Sequence, residues 1–270
     1  LSQICNCSQP NPASVASINI IQAECKMFKG KTILVTGATS GIGYKVCLDL
    51  LDAGAKIFAV GRNQDQLAAL QKLQPENVQT LAFDLTQFTK YSETFASVPG
   101  LDGVVCSAGI ADSNPLRFFS LEKYQRTVDI NQTAPIALVA ELARNRKLNA
   151  GASIVLLASI MGTKIGRNGG AAYAGTKAAL TGFAKVMALE LANKSIRVNC
   201  VSPGMVNTEL ADNQSEVSTE ARQVDMQRYP LEKRYAEAAE VSSAIRFLLS
   251  NQSSFMTGEN LVVDGGYCAQ

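Results

Sequence analysis

Tyr173 and Lys177 stand four residues apart at the head of an alanine-rich apolar run, residues 178–192. On a helix this spacing puts both side chains on one face, about one turn apart. A phenol ordinarily titrates near ~10. An ammonium ~5 Å away, at an effective dielectric of ~20, favours the phenolate by roughly 3 kcal/mol and brings it about two pH units lower. Such a pair can pass a proton near neutral pH. Taken alone, the spacing is equally explained by two residues sharing a helix face. The chain has no histidine, which removes Ser-His-Asp and Cys-His machinery and most histidine-based metal sites. Proton transfer therefore falls to Tyr, Lys, Cys or carboxylates.

A second constellation lies far upstream. The β-branched run 32–35 is followed by Thr36-Gly37-Ala38-Thr39-Ser40-Gly41-Ile42-Gly43 and then by a helical pattern, Tyr44 to Ala53, closed by Gly54. A glycine-rich loop between a strand and a helix suits a dinucleotide. Gly37 allows the tight turn, Gly41 and Gly43 let backbone approach a pyrophosphate, and the helix N-terminus offers free N–H groups. At the end of the next strand, where an NAD site places a carboxylate for the adenosine ribose, this chain has Gly61 followed by Arg62. With no carboxylate to repel a 2′-phosphate and a guanidinium to pair with it, NADP(H) is expected over NAD(H).

The elements that must position these residues alternate along the chain. Candidate strands are 32–35, 56–60, 78–83, 103–107, 153–157, 197–201 and 261–263. Candidate helices are 44–53, 64–73, 91–98, 121–146, 173–193 and 236–249. This pattern specifies an α/β fold, a Rossmann-type doubly wound parallel sheet of seven strands with helices on both faces. Residues 27–270 are expected to form one domain. Residues 1–26, rich in Pro, Ser and Asn, are expected to be a disordered or non-native extension, because Met27 leads directly into the first strand. A net charge of +2 makes no electrostatic case for nucleic acid or a membrane, and no apolar run approaches the ~20 residues of a membrane span. The seven cysteines show no C-x-x-C pair, so neither a disulfide framework nor a metal site is expected, and a reducing, cytoplasmic setting is favoured.

Together these motifs resemble the short-chain dehydrogenase/reductase family across residues 28–267. The family's cofactor loop corresponds to Thr36 through Gly43, with Thr39, Ser40 and Ile42 among the contacts. The resemblance implies that Asp84 and Leu85 meet the adenine, and that Ala108 and Gly109 lie against the cofactor. The family's paired asparagines before that Ala-Gly are here Cys106 and Ser107. The stretch Pro203-Gly204-Met205-Val206-Asn207-Thr208 matches the segment that closes over the nicotinamide, with Pro203, Gly204, Val206 and Thr208 as contacts. Asn131, Ser159, Tyr173 and Lys177 match the catalytic set. The implied reaction is hydride transfer from NADPH to a carbonyl, reversible as alcohol oxidation. Ser159 would hydrogen-bond the carbonyl oxygen, Tyr173 would donate the proton, Lys177 would hold the ribose, and Asn131 would hold a relay water. A nucleotide-binding sensor or sequestering protein of the same fold is the alternative, and it would not need all four residues. The Ser159–Tyr173 interval is one residue longer than the family's common spacing, and the glycines within it are expected to absorb the insertion.

For substrate the chain gives less. Residues 207–230 correspond to the family's specificity segment, with Met205, Leu210, Val217 and Met226 as candidate pocket walls among Glu209, Asp212, Glu216, Glu220, Asp225, Arg222 and Arg228. The runs 169–173 and 187–210 resemble bacterial 3-oxoacyl-(acyl-carrier-protein) reductases. The run 185–191 is also similar to small-sugar and dicarbonyl reductases. A small carbonyl or alcohol substrate is implied. An acyl-carrier protein would need a basic patch, for which Arg144, Arg146 and Lys147 are candidates against the plainer reading of a solvated helix end. A homotetramer or homodimer is expected by the same resemblance.

Overall fold

The computed structural model describes residues 27–111, 113–208 and 219–270. The proposed extension 1–26, with Cys5, Cys7 and Cys25, lies outside them, as do Leu210, Val217, Glu209, Asp212 and Glu216. Nine strands and eight principal helices follow in order: β1 Thr32–Thr36, α1 Gly41–Asp52, β2 Lys56–Gly61, α2 Gln64–Leu73, β3 Val78–Ala82, α3 Tyr91–Phe95, β4 Leu101–Cys106, α4 Leu121–Val128, α5 Ala134–Arg144, β5 Leu148–Leu157, α6 Ala171–Leu191, β6 Arg197–Pro203, β7 Val206–Asn207, α7 Thr219–Met226, β8 Ala236–Glu237, α8 Ala238–Leu249 and β9 Asn260–Val263.

Seven strands form one parallel sheet in the order β3-β2-β1-β4-β5-β6-β9. The expected seven-stranded, doubly wound architecture is the one observed. Strand order reverses between β1 and β4, which are paired from Ile33↔Gly103 to Thr36↔Cys106. The crevice at the carboxyl ends of those two strands is where such sheets hold ligands.

The apolar strand runs are continuous because both faces are covered. Leu34 packs with Phe95, Leu138, Leu142, Ile154 and Leu180 on one side. Its neighbours Ile33 and Val35 point the other way, against Val46, Leu50, Leu70, Val241 and Ile245. Burying a side chain of this size stabilises the fold by roughly 1.5–3 kcal/mol. Helix ends follow local chemistry. Asn63 caps α2 by accepting the Gln66 N–H at 3.1 Å, and Glu237 and Glu240 form a capping box on α8.

Three details differ from expectation. The helix expected over 121–146 is divided by one turn of π-helix, Asp129–Thr133, in which the Ala134 N–H reaches back to the Asp129 carbonyl. Pro135 explains the division: it has no N–H to give the carbonyl of Asn131 four residues earlier. Strands β7 and β8 form a separate two-stranded parallel ribbon, Val206↔Ala236 and Asn207↔Glu237, where only a loop and a helix start are expected. The helix expected over 91–98 ends at Phe95.

Candidate active site

The phosphate loop is built by close backbone contact. A methyl on Gly43 would lie 2.3 Å from the Gly37 carbonyl oxygen, and one on Gly37 would lie 2.9 Å from the Ala108 nitrogen. Only glycine fits at either position. Ser40 precedes α1 without a side-chain cap, and the first turn carries no acidic residue. The leading N–H groups of α1 therefore face the crevice with neither a capping oxygen nor a negative charge in the way. These features suit a pyrophosphate.

The second wall comes from β4. Thr36 Oγ1 accepts the N–H groups of Ser107 at 3.1 Å and Ala108 at 3.2 Å. That threonine supports the start of the loop after β4, which in the family carries paired asparagines. Cys106 instead turns into the core, 4% exposed. Ile42 packs on the core beneath α1, and Thr208 closes from above, its methyl 3.3 Å from a methyl placed on Gly41. Gly204 donates to the Val263 carbonyl at 2.9 Å. The Met205 N–H donates to the Tyr229 hydroxyl at 2.9 Å, which pins the 203–208 segment. Tyr229, buried in that role, has no motif to announce it in the sequence.

At the rim of β2, a methyl on Gly61 would meet the Thr39 methyl at 2.6 Å. A carboxylate side chain at position 61 would displace Thr39, so the glycine and the threonine are matched to each other. Arg62 is exposed beyond them and acts on Asp84, whose carboxyl is held below its usual range first by the Thr86 N–H and also by Arg62 and Arg126. Asp84 Oδ1 accepts both the N–H and the hydroxyl of Thr86, at 2.9 and 2.8 Å. Leu85 packs against the core, and its carbonyl accepts the Tyr91 hydroxyl at 2.6 Å.

Across the crevice, Ser159 follows β5 by two residues and caps a short turn, Ile160–Thr163, accepting the Met161 N–H at 3.1 Å. Its hydroxyl lies near enough to the Tyr173 phenol to pull that group's titration down. The longer interval between them is absorbed, and Gly162 shows how. It sits at φ +91°, and a methyl there would come 2.1 Å from the Ala174 carbonyl oxygen. The turn after Ser159 thus rests directly on the helix turn that bears Tyr173. Thr163 secures it from below, donating to the Ser159 carbonyl at 2.5 Å and meeting the Ser202 hydroxyl at 3.3 Å.

Lys177 is buried, 4% exposed, and donates to the Leu157 carbonyl at 2.6 Å. Its Nζ lies 5.7 Å from the Tyr173 ring centroid. Burial pulls the ammonium down to about 8, partly offset by the neighbouring Cys200 and Cys106. Tyr173 departs from expectation: burial pushes the phenol up from its ordinary value, and the neighbouring Ser159 hydroxyl pulls the other way. Desolvation wins here, while Lys177 stands over the ring face and donates one N–H to the Leu157 carbonyl.

Asn131, in the π-turn, grips one loop residue with its amide, and Nδ2 also reaches Thr176 Oγ1 on the helix of Tyr173 at 3.4 Å. Oδ1 accepts the Ile110 N–H and Nδ2 donates to the Ile110 carbonyl, both at 2.8 Å. The same amide oxygen approaches Gly109, where a methyl would lie 3.2 Å from it and 3.5 Å from Lys177 Nζ. The side chain therefore fixes Gly109 and Ile110 against the lysine.

A glycine loop at a switch point, joined to a serine–tyrosine–lysine cluster on the next strand and helix, defines a nucleotide-dependent oxidoreductase fold. The comparisons narrow the class. A family model described as enoyl-(acyl carrier protein) reductase matches residues 37–268. The chain is 32% identical over 237 residues to the 3-oxoacyl-(acyl-carrier-protein) reductase FabG of Rickettsia bellii, covering 88% of this chain and 96% of the relative. It is 36% identical over 248 residues to the L-xylulose reductase of Caenorhabditis elegans, covering 89% and 96%. Among solved structures, a short-chain glucose/ribitol dehydrogenase from Brucella melitensis superposes with a TM-score of 0.83 at 32% identity, covering 89% of this chain and 98% of that one. A gluconate 5-dehydrogenase described as putative, from Beutenbergia cavernae with bound NADP, gives 0.84 at 27%, covering 91% and 100%. The chain belongs to the short-chain dehydrogenase/reductase family.

Proposed function

We propose that the protein is an NADPH-dependent reductase that delivers hydride to a ketone or related carbonyl, with the reverse alcohol oxidation on the same site. The observation that carries this reading is the Ser159 hydroxyl and Tyr173 phenol brought together beside buried Lys177, at the mouth of a crevice with uncapped helix N–H groups. Bound nicotinamide would supply the hydride. Ser159 Oγ already accepts from Met161, so its own proton is free to turn toward a carbonyl oxygen and stabilise developing negative charge there. Tyr173 gives its proton to that oxygen. Lys177, protonated, favours the phenolate left behind, and its remaining N–H groups would hold the ribose hydroxyls. Asn131 acts on the site by positioning Gly109 and Ile110.

For the cofactor, Arg62 stands exposed beyond Gly61, and position 61 itself offers no carboxylate to repel a ribose phosphate. Arg62→Ala is expected to weaken NADPH about tenfold and NADH little, in keeping with the loss of one charge-assisted contact. Titration of both nucleotides against both proteins checks this, and equal affinities in the wild type would remove the argument. Oxidation of NADPH with 3-oxoacyl thioesters, ketoses and dicarbonyls tests the reaction itself; no turnover with any of these three classes would count against it.

Acyl-carrier docking at Arg144, Arg146 and Lys147 remains a secondary proposal, supported by the FabG likeness. No helix among the described residues is long and apolar enough to cross a membrane. The four described cysteines are free thiols, which suits the reducing, cytoplasmic setting proposed here. We further propose that the chain self-associates. Leu116, Phe118, Phe119 and Leu121 at the entry to α4, and Val186 and Leu189 on α6, are all more than half exposed, and a second copy of the chain would cover such side chains. Light scattering is expected to give a multiple of the 28.7 kDa chain mass, and a monomer at micromolar concentration would overturn the idea.

A further inference from the structure

A cavity of about 500 Å³ opens beside the turn that follows Ser159, lined by Lys164, Ile165, Arg228, Tyr267, Cys268 and Gln270. Its volume lies in the range of small-molecule sites. Lys164 belongs to the Ser159 turn: Ser159 caps that turn, Lys164 closes it, and the Lys164 N–H donates to the Ile160 carbonyl at 2.8 Å. The backbone of Lys164 is thereby tied to the turn that Ser159 caps. Arg228 comes from the opposite side. Its guanidinium stacks over Tyr267 at 4.6 Å, and its backbone carbonyl accepts Gln270 Nε2 at 2.5 Å. The stack fixes the plane of the fork and leaves an N–H edge for an oxyanion.

Among the described residues around this cavity, Asp225 pairs with Arg228 at 3.6 Å and also accepts the Tyr235 hydroxyl at 2.9 Å. Asp264 accepts the N–H groups of Gly266 at 3.0 Å and Cys268 at 2.8 Å. Asp225 therefore offsets part of the Arg228 charge, and the positive excess rests on Lys164 and its neighbours. Cys268 is pushed up to about 11, first by burial and also by Asp264, so it stays a neutral thiol at pH 7. Lys164 has no carboxylate partner among the described residues, and Arg167 adds a third positive charge close enough to act on Tyr267.

We propose that this cavity is an oxyanion subsite, so that the preferred substrate is a carbonyl compound bearing a carboxylate or phosphate at the end remote from the reacting carbon. Lys164 and Arg228 bind the anion while Ser159 and Tyr173 face the carbonyl. The inference rests on the reductase reading for its chemistry, but not for its binding.

The test uses the full chain saturated with NADP⁺ and two matched pairs of probes: 4-oxopentanoate with its methyl ester, and dihydroxyacetone phosphate with dihydroxyacetone. Calorimetry measures binding, and NADPH oxidation is followed separately. At least one anion is expected to bind about tenfold or more tighter than its neutral counterpart, and which pair shows it tells carboxylate from phosphate. Lys164→Gln and Arg228→Gln should each bring that ratio close to one; Lys164 is exposed, so its variant keeps the test usable if Arg228→Gln folds poorly. Equal binding within both pairs, absence of anion binding, or a ratio unchanged in both variants overturns the subsite. An anion advantage without any turnover leaves the subsite standing and counts against the reductase reading. Turnover of neutral ketones with no anion advantage does the reverse.

Discussion

Tyr173→Phe is expected to lower kcat/KM for NADPH-dependent carbonyl reduction by roughly 10²–10⁴-fold, the usual worth of a positioned general acid. The chain has no histidine to substitute for it. Nor is another phenol in the described crevice ready to take over: Tyr229 donates nothing to the site and accepts from Met205, while the Tyr235 hydroxyl is committed to Asp225. The change should otherwise be mild. The ring stays, and Ser159 Oγ retains the Met161 N–H after losing the phenol. Nucleotide affinity, measured by quenching or calorimetry, should therefore stay within about threefold, a change of less than 1 kcal/mol. Loss of turnover with binding intact would identify Tyr173 as the proton donor. Undiminished turnover would refute the mechanism, and loss of both activities together would point to a damaged fold instead.

The parts of this site that were legible in the sequence are those fixed by backbone geometry. Gly37 and Gly43 could be read because a phosphate loop leaves no room for a side chain, and the sheet could be read because strands buried on both faces must be apolar throughout. Tyr173 and Lys177 were visible as a spacing. What the sequence did not yield depends on contacts between distant residues. Gly162 looked like loop slack, yet its missing side chain lets the Ser159 turn rest on the Ala174 carbonyl. Thr36 holds the start of the loop after β4 through two N–H contacts 71 and 72 residues away. Tyr229 pins the segment 203–208 without belonging to any motif. The titration of the pair was also misjudged from spacing alone. A four-residue interval gives proximity, but the direction of the net shift depends on burial and on where each proton is already committed.

That commitment is most testable at Lys177. Burial holds its ammonium at about 8 in the folded protein, against ~10.4 for a lysine in an unfolded chain. Between those values the unfolded chain binds a proton that the folded one has released, so this group makes stability rise with pH across the window. Below about pH 8 the buried lysine is charged and carries the full penalty, on the order of 3 kcal/mol. Lys177→Met removes the titration. Urea unfolding of both proteins from pH 7 to 10 should show the wild type gaining stability relative to the variant by about 2–3 kcal/mol over that range. Cys106 and Cys200, both held near 12 by burial, stay protonated throughout and do not obscure the difference. Parallel curves would mean that Lys177 is not a buried titrating ammonium. Activity should move the opposite way. The charge that destabilises the fold at pH 7 is the one that favours the Tyr173 phenolate, so the variant should lose roughly 10²-fold or more in kcat/KM. Wild-type reduction should fall as pH rises through about 8 and the ammonium is lost. A cation kept where burial disfavours it is stability given up for chemistry, and the opposed pH dependences of folding and turnover are the signature that separates this role from a merely structural lysine.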